Sequence, residues 1–415
     1  MGPITIFDKS FLQSLSVDEA VWFDHFFLSN ICPIFYVETL ADLDKTTQRR
    51  TPDEEVSIIS RKFPEMHSAP NMHHATLCIQ NLSGSTIPHT GQIVMAGGRP
   101  VKAGGQTGIV YDKSPEAEAF ARWQKGQFLE VERLFAKIWR DALKSLKLDE
   151  LPKTLRTLGI DSQSCKSLED AKSIADRVVN GTDSPYERMK LAILFFNIPE
   201  QWHRPIIQRW SVAGYPSLLH YAPYAAHVLS VDIFFQIALS ANLISADRPS
   251  NRIDIAYLYY LPFCMIFVSS DKLHHKCAPL FLRTDQEFVW GFDLKADLQR
   301  LNTHYSSLPD STKEHGIMAF ASSPPKEGDY LVTKLWDQHL PRWRGIYNSD
   351  ELRLPTKNEK LAEHLSKFTK APDLKPEEVD FDLSHPDAVT LERRISKKKG
   401  SWWQVPKYLK EDEKN

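Results

Sequence analysis

A run of six apolar residues, 263–268 (Phe-Cys-Met-Ile-Phe-Val), followed at once by Ser269-Ser270-Asp271, constrains this chain more than any other stretch. The run shows no alternation of apolar and polar positions, and it has the length of a strand covered on both faces, the kind that builds parallel α/β sheets. Ahead of it lie Asp254 and a short helix-like segment closed by Pro262. One acid therefore opens a helix and another sits just past the carboxyl end of a buried strand, where open α/β sheets bind ligands. Asp254 also suits a helix cap and Asp271 a turn, and these two residues alone do not separate the readings.

The amino-terminal end repeats the pattern. Residues 4–10, Ile-Thr-Ile-Phe-Asp-Lys-Ser, form a second short apolar run that ends in an acid, Asp8, and residues 33–40 present Glu38 on a following helix. The order is strand then Asp8, Glu38 on a helix, Asp254 at a helix start, and Ser269-x-Asp271 after a strand. This arrangement resembles the PIN domain family of metal-dependent nucleases. The matching residues are Asp8, Glu38, Asp254 and Asp271, with Ser269 standing where the family has a Thr or Ser two places before its last acid. The likeness covers roughly residues 1–45 and 225–305. Glu38 and Asp254 stand more than 200 positions apart, far more than in a compact member of the family.

The resemblance implies an α/β fold with a PIN-like parallel sheet flanked by helices; the residue pattern between its two parts reads as a large, mostly α-helical insertion with a β-hairpin part. The discontinuous nuclease domain is expected over 1–45 and 225–305, and the insertion over 46–224. A C-terminal flap over 306–369 and a charged, disordered tail over 370–415 follow. The implied activity is endonucleolytic hydrolysis of phosphodiester bonds, in RNA more than in DNA, leaving a 5′-phosphate. Asp8 and Asp271 would hold the metal and orient water, Glu38 and Asp254 would complete the ring, and Ser269 would orient a carboxylate.

The chemistry agrees with that expectation. Carboxylates gathered from distant positions repel one another, and a divalent cation relieves the repulsion. Hard oxygen ligands select Mg²⁺ or Mn²⁺ over zinc, and enzymes that pair such ions hold them on the order of 4 Å apart. A catalytically silent PIN-like scaffold that binds nucleic acid or a protein partner is the second reading. A helical interaction protein whose acids are unrelated caps is the third.

A net charge of −2 exerts no global pull on nucleic acid, so binding would rest on local patches. Two are visible. A glycine-rich segment over 91–108 reads as a hairpin carrying Arg99 and Lys102, without the Gly-Lys-Ser/Thr ending of a phosphate loop. Residues 393–403 set basic side chains beside Trp402 and Trp403, which suits either strand binding or docking on the same chain. The insertion is the natural place for substrate choice or a protein partner.

Other expectations are structural. A helix is read over 11–30 with Ser16 and Glu19 as its capping box, and one over 286–302 capped by Asp285. The stripe Phe120, Trp123, Val131, Leu134, Phe135 and Ile138 reads as core, and Asp42 as an exposed acid. The pairs His73-His74 and His274-His275 read as structural or surface histidines, since neither completes a zinc site locally. Five scattered cysteines and the lack of a secretory signal point to a reducing cytoplasm. The longest apolar region, 221–244, is broken by Pro223, His227, Asp232 and Gln236, and so reads as a buried helix with no membrane role.

Overall fold

The computed structural model describes residues 2–45, 49–151, 165–181, 184–346, 359–383 and 385–409. Its centre is an α/β sheet of five strands, all parallel and flanked by helices. These are β1 (Ile4–Phe7), β2 (Leu28–Ile31), β3 (Ser68–Pro70), β6 (Ile266–Ser269) and β7 (Glu287–Trp290), in the order β3-β2-β1-β6-β7. Thr5 pairs with Ser29 on one side and with Ile266 on the other, so β1 is the hinge of the order: from it the chain first winds outward through β2 and β3, and later returns to fill the other side. Every residue of β6 is buried, as a two-faced strand requires.

Local physics shifts several expected boundaries. The strand begins at Ile266, not at 263, because Tyr257–Phe263 forms a 3₁₀ segment that holds Pro262 and Phe263. The expected helix over 11–30 is two helices, Lys9–Ser14 and Val17–Phe26, and then β2. The Ser16–Glu19 capping box does start the second helix, but Phe27 turns extended at φ −128° and ψ 149° and feeds the sheet. Likewise Glu287–Trp290 is a strand, and the helix starts only at Gly291. Asp285 caps nothing; it accepts from the Arg283 guanidinium at 2.9 and 3.0 Å.

The sheet is not confined to 1–45 and 225–305. Its edge strand β3 comes from residues expected in the insertion, and the insertion's buried side chains, Val56, Cys78 and Trp210 among them, share one hydrophobic core with Ile6 and Phe267. The hairpin forms as read, with β4 (Arg99–Ala103) and β5 (Gln106–Tyr111) joined by Gly104 and Gly105 at φ +58° and +80°. A third strand, β8 (Ala388–Leu391), pairs with β5 in parallel.

The described part of the tail is folded against the body. Trp402 is buried, stacks edge-on to Trp22 at 4.7 Å and donates its indole N–H to Asn302 at 2.8 Å. Trp403 is bracketed by Lys397, Lys398 and Lys407 at 5.8, 5.2 and 5.9 Å. Of the flap, Trp336 and Trp343 are buried, whereas residues 347–358, Tyr347 among them, lie outside the described residues.

One helical stripe faces the other way from its expected direction. Phe120 and Trp123 are core, but on the helix Glu130–Ser145 Val131, Leu134, Phe135 and Ile138 are exposed. Glu132 is the reason: its carboxylate turns inward to accept from Trp123 Nε1 at 3.0 Å, Arg122 at 2.7 Å and the Leu129 N–H at 2.8 Å. The apolar region 221–244 holds the buried helix Pro223–Ser240, and among the described residues no helix is long and apolar enough to cross a membrane.

Candidate functional site

β1 and β6 are neighbours in the sheet and lie at the point where its winding reverses, the place beyond whose strand carboxyl ends open α/β sheets bind ligands. Asp8 is the first residue after β1. It caps the helix Lys9–Ser14, with one carboxylate oxygen accepting from the Phe11 N–H at 2.9 Å and the other from Ser10 at 2.6 Å and Ser269 at 2.8 Å. Ser269 ends β6, and its hydroxyl oxygen also accepts from the Asp271 N–H at 2.9 Å. Asp271 then caps the helix Lys272–Cys277 by accepting from the Leu273 N–H at 2.6 Å.

Ser269 has one proton, and it goes to Asp8. The remaining neighbour of its oxygen, Nδ1 of the fully buried His274 at 2.8 Å, must therefore donate. The other ring nitrogen, Nε2, lies 2.6 Å from the Asp254 backbone carbonyl and must donate as well. Both nitrogens carry protons, so His274 is an imidazolium, 3.4 Å from the Asp8 carboxylate. The electrostatics agree: burial alone would depress the ring, but Asp8 and Asp254 raise it to about 9. Burial pushes Asp8 up in turn, and the donors from His274, Ser10 and Phe11 outweigh it and hold the carboxyl below its usual value.

A second cation sits on the other flank. Lys9 is buried, with its ammonium 2.9 Å from Asp42 and 3.7 Å from Glu38, and it donates to the Glu38 carbonyl at 3.0 Å. Glu38, on the helix Pro33–Leu40, also accepts from the Tyr257 hydroxyl at 2.8 Å. Its carboxyl is raised, first by burial and then by Asp8 and Asp42, against the pull of Lys9 and Tyr257. Asp42 is thus not the exposed acid expected; it is a buried partner of Lys9.

Asp254 differs from the others. It lies within the helix Asn251–Ala256, not at its cap, is half-buried, and among the described residues its carboxylate makes no hydrogen bond or ion pair. Burial lifts it to about 7, reinforced by Glu38, Asp271 and Asp8 and opposed by His274. Asp8, Glu38, Asp254 and Asp271 are therefore brought into one electrostatic neighbourhood, with Ser269 bonded to the first. Yet among the described residues no group of three or more His, Cys, Asp or Glu side chains is arranged to hold a metal ion. The oxygens of Asp8 are already occupied by donors, and those of Glu38 face Lys9 and Tyr257.

Sequence reasoning missed Lys9, Tyr257 and His274. Each had a local signal: Lys9 directly follows Asp8, and Tyr257 and His274 each stand three residues, one helical turn, past an acid. No family model, curated protein or solved structure matches the chain.

Proposed function

We propose that the chain is a PIN-like endonuclease that hydrolyses phosphodiester bonds, most often those of RNA, with Mg²⁺ or Mn²⁺ as cofactor. Asp254 carries this reading. An unpartnered carboxylate lifted to about 7 by burial and three neighbouring acids disfavours its own ionised form, and a cation beside it would reverse that. The donors are hard oxygens, which fit Mg²⁺ or Mn²⁺ rather than zinc. Asp254 and the Asp271 oxygen not used in capping are open to such an ion, with Asp8 and Glu38 next to them. When bound, the ion would offset the charge of the scissile phosphate and ease deprotonation of water.

The chain's own residues supply the frame. Ser269 fixes the Asp8 carboxylate, His274 ties Ser269 to the Asp254 backbone, and Lys9 with Tyr257 keeps Glu38 aimed from its helix. A cytoplasmic place fits the five cysteines, all buried free thiols.

One observation favours a second reading, a catalytically silent scaffold of the same fold. Lys9 and His274 already supply two positive charges to the cluster, so its repulsion is partly relieved without an ion. Cleavage of labelled single-stranded RNA and DNA by the wild type and Asp271→Asn, each with Mn²⁺, Mg²⁺ or EDTA, separates the two. Metal-dependent cutting lost in the variant supports the enzyme; no cutting, with no Mn²⁺ uptake by calorimetry, supports the scaffold.

A further inference from the structure

Next to the acid cluster runs a ladder of rings whose members are exposed or half-buried. Phe292, in the first turn of the helix Gly291–Ser306, is 53% exposed. Its ring lies 5.5 Å from Trp290, which lies 4.8 Å from the exposed His275, which in turn lies 5.7 Å from Phe288. Lys272 and Lys276 share the short helix of His275, are exposed, and form no ion pair among the described residues. His275 and Phe288 also line a cleft of about 500 Å³ with Arg283 and Thr284.

The ladder is tied to the acids through two joints. Asp271 is the cap of the helix that carries Lys272, His275 and Lys276. Gly291, which starts the Phe292 helix, packs so closely on the strand end that a Cβ there would come within 2.2 Å of Ser270 Oγ. Phe292 and His275 are exposed and Trp290 is half-buried between them; exposed rings edged by lysines are a surface on which unpaired bases stack while phosphates follow the cations. A duplex hides its base faces and offers no such match. Asp293 and Glu287 adjoin Phe292 and Phe288 in the sequence, so the cationic pull is local and the affinity must come mainly from stacking.

We infer that this ladder is a binding platform for single-stranded polynucleotide, with bases stacked on Phe292, Trp290 and His275 and the backbone led past Lys272 and Lys276 toward Asp271. The inference rests on the reading of the acid cluster as a phosphodiester-cleaving site. The test is fluorescence anisotropy of labelled single strands of roughly 12 nucleotides in EDTA, so that nothing is cut, beside an abasic strand of equal length. The wild type binds the base-bearing strand tighter than the abasic one by roughly tenfold or more. Phe292→Ala removes most of that difference, Phe292→Tyr restores it, and neither alters affinity for the abasic strand.

Equal affinity for the two strands, or no effect of Phe292→Ala with the melting temperature unchanged, overturns the platform. Metal-dependent cutting without binding in EDTA overturns the platform alone. Binding with the stated base preference but no cutting under any metal overturns the nuclease reading and leaves the platform standing.

Discussion

The hydroxyl of Ser269 donates to Asp8 at 2.8 Å, joining residues 261 positions apart. That one bond decides the state of His274, because a serine that gives its proton to Asp8 can only accept from the ring. Ser269→Ala leaves two buried charged groups short of a partner and is expected to cost about 1–3 kcal/mol. Urea denaturation measures the loss, and a near-zero change would mean that water replaces the hydroxyl.

Stability should fall on the alkaline side. His274 stands at about 9 in the folded chain against an ordinary 6.5, so its contribution is fully present below about pH 6.5 and is lost as pH rises through 9. The size is about 3 kcal/mol. His274→Gln should flatten the denaturation midpoint across that window, and an unchanged slope in the variant would assign it to another group.

Asp254 acts in the same sense at lower pH. Its folded value of about 7 lies above the ordinary 3.8, so the folded state is favoured at low pH and loses stability as pH rises from about 4 through 7. Asp254→Asn is therefore expected to stabilise the protein at pH 8, by about 2 kcal/mol after allowing for the solvent that reaches a half-buried group. Mn²⁺ should raise the wild-type melting temperature more at pH 8 than at pH 5, and in Asp254→Asn the rise should shrink at both.

Lys9→Met leaves Asp42 and Glu38 without their buried cation and is expected to cost about 3–5 kcal/mol. If the cluster accepts a divalent ion, Mn²⁺ recovers part of the loss. Differential scanning calorimetry with and without Mn²⁺ reads both effects, and a loss that the ion leaves untouched would favour the scaffold.

The docking of the carboxyl-terminal region can be weighed through one side chain. Trp402→Ala empties a site packed between Trp22 and Phe320 and is expected to cost about 3–5 kcal/mol. Limited proteolysis should then cut within 388–403 at rates the wild type does not show.

What the sequence determined by itself is local. The unalternating apolar run before Ser269 has a strand buried on both faces, Ser16 and Glu19 cap a helix, and Gly104-Gly105 turn a hairpin, because each depends on backbone preferences and on side chains within a few positions. The acids Asp8 and Asp271 could be found because each follows an apolar run, Asp8 at once and Asp271 after Ser269 and Ser270.

Everything that depends on partners far along the chain was decided by the tertiary structure. Short strands such as β3 carry too little pattern to be seen, and the sheet enlists them through neighbours, not through their own composition. The face that Glu132 turns inward, the burial of Trp402, and the cations that meet the acid cluster follow from which surfaces come together. A charge such as Lys9 or His274 reads as surface until a buried carboxylate is brought within about 3 Å of it, and only the folded chain sets that distance.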